Sequence, residues 1–229
     1  MNEYNTGKSR IDGHKLLLVS VLSGVIWLLL ANLIIYYIQE TSLAALFFEG
    51  YHFLIQISLG ITSGAVFGIA GLGLIKIPSF KKILDEYAVI RQIQEMNLSP
   101  NEIVYISLVA GISEEILFRG AIQPVIGIWW TSLLFIGIHG YIRLQSTTHV
   151  LYSLFTFALS CMLGVLFIYV GLISAMAAHF MYDVIVLYGI KQILSSDSLK
   201  ILNHTIVFNW QIHDVDFANV RGSLDSHAS

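Results

Sequence analysis

Charge is scarce in this sequence. Only 12% of its 229 residues are Asp, Glu, Lys or Arg, against roughly 25% in a soluble domain. Hydrophobic residues make up 56%, and the mean hydropathy is +0.74. An ordinary soluble globule is excluded. The net charge of -3 is small and says nothing about nucleic acid, and none is expected as a partner. Cysteine is nearly absent too. Cys161 is the only one, so no intrachain disulfide can form, and a lone thiol in an apolar run reads as small packing material. No CxxC or CxxH pair suggests a structural zinc site, and no HExxH suggests a zinc protease. No small-residue cleavage site follows the first apolar run, which is therefore read as a retained span and not a signal peptide. Internal repeats and low-complexity tracts are also missing.

Long apolar runs are what the sequence does have. A bilayer-spanning helix needs about 20 mostly apolar residues. Six candidate spans follow: Leu16–Ile38, Tyr51–Ile75, Glu102–Ile126, Ile128–Tyr141, Val150–Val170 and Leu172–Ile190. The fold class expected is all-α, a multi-pass membrane protein with about six transmembrane helices around a polar intramembrane cavity. Cytoplasmic loops are enriched in Lys and Arg. With the N-terminus inside and six spans, Lys8, Arg10, Lys15, Lys76, Lys81, Lys82, Arg91, Arg143, Lys191, Lys200 and Arg221 all fall on the cytoplasmic side. The remaining basic residue, Arg119, lies within span three. Both termini are thus expected in the cytoplasm and the protein in the cell membrane.

Three regions are expected: 1–98, two spans with an amphipathic interfacial helix; 99–190, the polar-residue core; and 191–229, a cytoplasmic tail. In Ser79–Leu98, apolar Phe80, Ile83, Leu84, Tyr87, Ile90 and Ile93 recur at helical spacing among Lys81, Lys82, Asp85, Glu86 and Arg91. That pattern predicts a helix on the cytoplasmic membrane surface, the alternative being one packed on the protein's own loops. Ser99-Pro100-Asn101-Glu102 predicts a capping box opening span three. Gly60, Gly64 and Gly68 predict a face on span two that lets a neighbouring helix come close.

Ionisable residues inside spans are costly and mark function by default. Here they gather on spans three, four and six: Glu114, Glu115 and Arg119; His139; His179 and Asp183. Glu115 and Arg119 share a helix face and can form an ion pair. Glu114 is rotated about 100° away and has no partner in its own helix. That leaves Glu115 as the paired carboxylate and Glu114 as the one free to take and give a proton. The alternative is a structural salt bridge beside a spectator Glu114. His139, alone, could be packing. His179 and Asp183 also share a face, either as an oriented histidine or as an interhelical polar clamp.

Glu114-Glu115-x-x-Phe118-Arg119, then Phe135-x-x-x-His139, then His179-x-x-x-Asp183, in this order on successive spans, resemble the motifs of the CPBP family. This is the CAAX-protease and bacteriocin-processing family, also called Abi, of intramembrane glutamic endopeptidases. The resemblance covers roughly Ser99–Ile190. It implies a helical membrane core and metal-free hydrolysis of a peptide or protein substrate at the bilayer, with no cofactor. Glu114 and His139 would activate water, and His179 would donate to the oxyanion. Glu115 and Arg119, with the motif positions Phe118 and Phe135, would be supporting structure. The third motif ends in Asn or Asp across the family. Asp183, when ionised, accepts hydrogen bonds only, so it is expected to orient His179 instead of binding an oxyanion. Members of the family are also linked to bacteriocin immunity and scaffolding, a non-catalytic alternative.

Other chemistries compete. Glu114, His139 and His179 could form a two-His-one-carboxylate zinc site. Gly111-Ile112-Ser113-Glu114 loosely resembles a rhomboid serine motif, with His179 as partner, but its last position is not glycine. A presenilin-type aspartyl protease would need a second intramembrane Asp beside Asp183. A proton-relay transporter would also use buried carboxylates and histidines. The sequence does not specify an oligomeric state.

Overall fold

Among the described residues, five helices are long and apolar enough to cross a membrane. The structure is a computed structural model and describes residues 13–84, 86–87 and 98–193. In chain order, α1 is Gly13–Tyr37, the short α2 is Leu43–Phe48, α3 is Phe53–Ile75 and α4 is Pro78–Leu84. Then come α5, Pro100–Glu115, a π-helical stretch at Ile116–Ile122, and α6, Gln123–Ile138. α7 is Thr147–Tyr169 and α8 is Leu172–Ile193. Among the described residues there is no strand. The described helices agree with the expected spans to within a few residues, except that the third and fourth expected spans fall in one helical run, Pro100–Ile138, so five candidate spans are described where six were expected. The compact unit Met1–Gly189 contains every residue discussed below. Beyond it only 190–193 are described, as the end of α8; the expected cytoplasmic tail and the N-terminal Lys8 and Arg10 lie outside the described residues.

Polarity is distributed inside out. Leu18, Leu22, Ile26, Leu29 and Leu33 of α1 are exposed, while Gln56, Ser107, Glu115, Arg119, Gln123, Ser160, Ser174 and His179 are buried. Hydrocarbon around the molecule would satisfy the first group and penalise the second, so this is a multi-pass membrane protein.

The helical run Pro100–Ile138 is 39 residues long. As one straight helix it would reach about 58 Å, nearly twice the hydrocarbon thickness. It is not straight. Gly127 has φ 79° and ψ 167°, a backbone conformation essentially restricted to glycine. The chain reverses there: Phe118 packs edge-on against Phe135 with ring centroids 4.9 Å apart, and Glu114 faces His139. These pairs have the antiparallel register of a hairpin centred on Gly127, the residue that separates the third and fourth expected spans.

The glycine face of α3 sets the depth of α8. A methyl group added at Gly60 or Gly64 would collide with the backbone carbonyls of Ser174 and Ala178. On the other side, a methyl at Gly111 of α5 would lie 3.1 Å from the Met176 carbonyl oxygen. α8 is therefore held close between α3 and α5, at the level of His179. The capping box also forms: the Ser99 N–H donates to Glu102 Oε2 at 2.7 Å, and the Glu102 N–H donates to Ser99 Oγ at 3.3 Å.

Of the expected amphipathic helix, the described part packs on the protein: α4 ends at Leu84, and Phe80, Ile83, Leu84 and Tyr87 are buried. α4 lies against α3 and α7. Asp85, Ile90, Arg91 and Ile93 lie outside the described residues.

Candidate active site

Glu114 and Glu115 close α5, and the π-helical stretch begins at the next residue. π-helical segments are rare and recur at functional sites because they re-aim side chains and free backbone carbonyls. Here the freed groups are caught from another element. Gln39, just beyond α1, donates its amide to the carbonyls of Gly120 and Ala121 at 2.9 and 2.8 Å.

Arg119 is fully buried, and each of its three guanidinium nitrogens has a hydrogen-bond partner. Nε donates to Glu115 Oε2 at 3.0 Å, Nη1 to Gln123 Oε1 at 3.3 Å and Nη2 to Ser160 Oγ at 2.8 Å. The guanidinium also lies over the Phe135 ring, 5.5 Å from its centroid. Gln123 passes the network on by donating to the Gly164 carbonyl of α7 at 3.0 Å. A buried ion pair of this kind is tolerated because further hydrogen bonds engage the other guanidinium nitrogens.

The second oxygen of Glu115 meets His179 Nδ1 at 2.8 Å. His179 Nε2 lies 3.5 Å from Asp183 Oδ2, longer than an ordinary hydrogen bond. The expectation that Asp183 orients His179 is thus corrected in part: Glu115 has the tighter hold. Glu115 is already anchored by Arg119, so it can fix a ring on α8 that lies 64 residues away in sequence.

Glu114 is placed differently. Its Oε2 is 3.4 Å from His139 Nε2 and, although buried, has no hydrogen-bond partner among the described residues. His139 follows directly on α6, and its Nδ1 is 2.7 Å from the Phe135 carbonyl. A carbonyl only accepts, so Nδ1 carries the proton. In the neutral ring, Nε2 then presents its lone pair toward Glu114. The Phe135 ring lies between the two histidines, with centroids 4.5 Å from His139 and 5.9 Å from His179. Glu114, Glu115, His139, His179 and Asp183 are therefore gathered in one region, with Phe118 and Phe135 packed behind them.

Among the described residues no three of His, Cys, Asp and Glu gather in a geometry that could hold a metal ion. His179 turns its nitrogens to Glu115 and Asp183, away from the zinc set imagined with Glu114 and His139. Ser113 Oγ donates to the Val109 carbonyl of its own helix at 2.8 Å, not to a histidine, which disfavours a rhomboid dyad.

Gln39, Ser160 and the π-helical stretch were not anticipated. Gln123, four residues beyond Arg119 on the same face, was visible as a polar residue at an apolar position. Ser160 and Gln39 gave no local signal, since their partners lie 41 residues away or more.

Comparison with known proteins covers the same segment. Residues 97–185 match the family model described as type II CAAX prenyl endopeptidase Rce1-like. The uncharacterized protein YpbD of Bacillus subtilis (strain 168) is 28% identical over 128 residues, which are 55% of this chain and 64% of that protein. No solved structure matches. The matched segment holds the two glutamates, both histidines and Asp183, so over residues 97–185 this chain is similar to the Rce1-like type II CAAX prenyl endopeptidases, in keeping with its CPBP-like motifs.

Proposed function

We propose that this protein is an intramembrane endopeptidase in which Glu114 and His139 activate a water molecule. The observation that carries this reading is the contrast between the adjacent glutamates: Glu115 has both oxygens engaged, while Glu114 keeps a buried oxygen without a hydrogen bond, 3.4 Å from an imidazole. A water bound between Glu114 and His139 Nε2 would lose its proton to this pair as its oxygen attacks the scissile carbonyl carbon. The carbonyl oxygen becomes the oxyanion. His179, as an imidazolium with its Nδ1–H held by Glu115, would offer its Nε2–H, whose contact with Asp183 is long, to the oxyanion. The proton then passes to the leaving nitrogen as the C–N bond breaks. No cofactor takes part, and zinc dependence is the alternative to be tested.

The substrate class that fits the family is a CAAX-type C-terminus or another peptide presented at the membrane. The proposed location is the cell membrane with both termini cytoplasmic, supported by Lys76, Lys81, Lys82 and Arg143 lying in the loops on one side of the expected topology. The test is cleavage of a farnesylated CAAX peptide and an unprenylated control by the purified protein in lipid nanodiscs, followed by mass spectrometry. Cleavage lost in Glu114→Gln and insensitive to phenanthroline supports the reading. Loss on chelation with recovery on adding zinc would replace it with a metalloprotease. A cellular phenotype fully supported by Glu114→Gln would replace it with a binding or immunity role.

A further inference from the structure

Beyond the proposed catalytic pairs, a second polar cluster lies where the chain leaves α6. Its starting point is the His139 ring itself. One face is packed by Phe135, and Tyr141 stacks on the ring with an interplanar angle of 11° and centroids 5.7 Å apart. Tyr141 therefore helps to set the plane in which His139 meets Glu114.

Tyr141 is in turn held by the loop that follows it. Its N–H donates to the Ile136 carbonyl at 2.9 Å, and its carbonyl accepts from Ser153 Oγ at 2.7 Å. The Arg143 N–H donates to the same Ser153 oxygen at 3.1 Å. The Arg143 guanidinium reaches across to the segment after α4. Nη2 donates to the Glu86 carbonyl at 2.7 Å, and Nη1 is 3.4 Å from the Glu86 carboxylate. Arg143 also lies over the Tyr87 ring, 5.0 Å from its centroid. The same Glu86 oxygen meets His149 Nε2 at 3.1 Å, and Ser146 Oγ is 2.8 Å from His149 Nδ1. Glu86 thus ties both the start of the 140–146 loop and the first turn of α7 to one point. Tyr87 completes the contact by packing on Tyr152 and Tyr141, with centroids 4.8 and 6.1 Å away.

The Glu86 carboxylate is about half exposed, at 48%. A pair so exposed contributes little to global stability. What it fixes is geometry: two cationic or donor side chains on the loop and helix that bracket Tyr141.

We propose that Glu86 is a positioning residue for His139: by holding Arg143 and His149 it fixes the 140–146 loop, and through Tyr141 it sets the plane in which the His139 imidazole faces Glu114. This rests on the proposed function for its effect on rate, but not for its effect on the ring. Glu86→Ala should lower kcat about tenfold, within the range that small misplacements of a catalytic group produce. KM and the thermal midpoint should stay at wild-type values. Glu86→Gln should restore most of the rate, because its amide oxygen still accepts from Arg143 and His149. Tyr141→Phe should behave as wild type, whereas Tyr141→Ala should match Glu86→Ala. The double Glu86→Ala, Tyr141→Ala variant should be no slower than Tyr141→Ala alone, since the two act in series.

A measurement independent of cleavage accompanies these. Diethylpyrocarbonate labelling of the full-length protein in nanodiscs, read at His139 by peptide mass spectrometry, should rise in Glu86→Ala and Tyr141→Ala and stay at the wild-type rate in Glu86→Gln and Tyr141→Phe. Unchanged His139 labelling in Glu86→Ala would overturn the proposal, as would a raised KM with intact kcat or a loss of rate that follows a loss of thermal stability. If the wild-type protein cleaves no peptide, the proposed function falls, and the His139 labelling still decides whether Glu86 sets the ring.

Discussion

Glu115 meets Arg119 at 3.0 Å and His179 at 2.8 Å, using both carboxylate oxygens, whereas Glu114, one residue earlier, faces a single imidazole at 3.4 Å. The first region is closed. Its charges are shared among α5, the π-helical stretch, α7 and α8, through Gln123, Ser160 and the Gly164 carbonyl. The second is open, with a buried oxygen left over. The side chains are chemically identical and differ by one helical step of about 100°. Their surroundings divide the work. A buried carboxylate with complete hydrogen bonds can contribute structure. One with incomplete bonds bears a desolvation cost and is the position where a water or substrate atom would restore the missing partner.

The largest expected effect tests the open region. Glu114→Gln should reduce cleavage by about 10²–10⁴-fold, the usual worth of a positioned general base. The amide keeps the shape and removes a buried charge, so expression and thermal midpoint should stay near wild type. Rates with the peptide reporter and melting curves in detergent check both halves. An active, stable Glu114→Gln protein would erase the distinction between the two glutamates.

Parts of this division were legible in the chain. Glu115–Arg119 and His179–Asp183 are four residues apart, and helical geometry alone places each pair on one face. Gly127 lies at the break between two apolar runs, and Gly60 and Gly64 mark the face that receives α8. What crosses between helices left no such trace. The contact of Glu115 with His179 joins residues 64 positions apart, and it transfers the orienting role expected of Asp183 to Glu115. The π-helical stretch arises from tertiary demands on Ile116–Ile122, whose sequence is ordinary helix-compatible residues. Periodicity after Ser79 cannot say whether the apolar face meets lipid or protein, and at Phe80, Ile83, Leu84 and Tyr87 it meets protein.

The closed region is tested next. Glu115→Gln leaves the Arg119 guanidinium buried without its counter-charge and weakens the hold on His179. Breaking a buried pair from one side costs roughly 3–5 kcal/mol. Poor accumulation and a lower melting temperature are expected, partly relieved by a companion Arg119→Met change that removes the orphaned charge. If Glu115→Gln instead proves fully stable yet inactive, the closed network is part of the chemistry and the comparison between the two regions fails.

A smaller effect comes from the depth of α8. A methyl group at Gly64 would strike the carbonyl of Ala178, the residue before His179. Gly64→Ala should therefore push the helices apart, at about 1–3 kcal/mol for overpacking, and lower kcat by displacing His179. Gly73 on the same helix has nothing within 4 Å of an added methyl. Gly73→Ala should be neutral or stabilising, since alanine favours helix by up to about 1 kcal/mol. Equal behaviour of the two variants in thermal melts would show that the glycine face does not set the position of α8.

The smallest effect separates stability from chemistry most finely. Gln39 is remote from both glutamate side chains in its bonding and donates only to the carbonyls of Gly120 and Ala121. Those carbonyls belong to the π-helical stretch between Glu115 and α6. Gln39→Ala removes the donor and leaves two acceptors, one of them on a fully buried alanine. The expected loss is about 1 kcal/mol, the net value of an ordinary hydrogen bond. Gln39→Glu should cost more, because an ionised carboxylate offers no donor and would face two carbonyl oxygens. In both variants the cleavage rate per folded molecule should equal the wild-type rate, because the Glu115–Arg119–His179 contacts keep the stretch in register from its other side. A melting temperature lowered in the order Ala then Glu, with kcat unchanged, is the predicted result. A fall in kcat comparable to that of Glu114→Gln would mean that the π-helical stretch aims Glu114 directly and belongs with the open region.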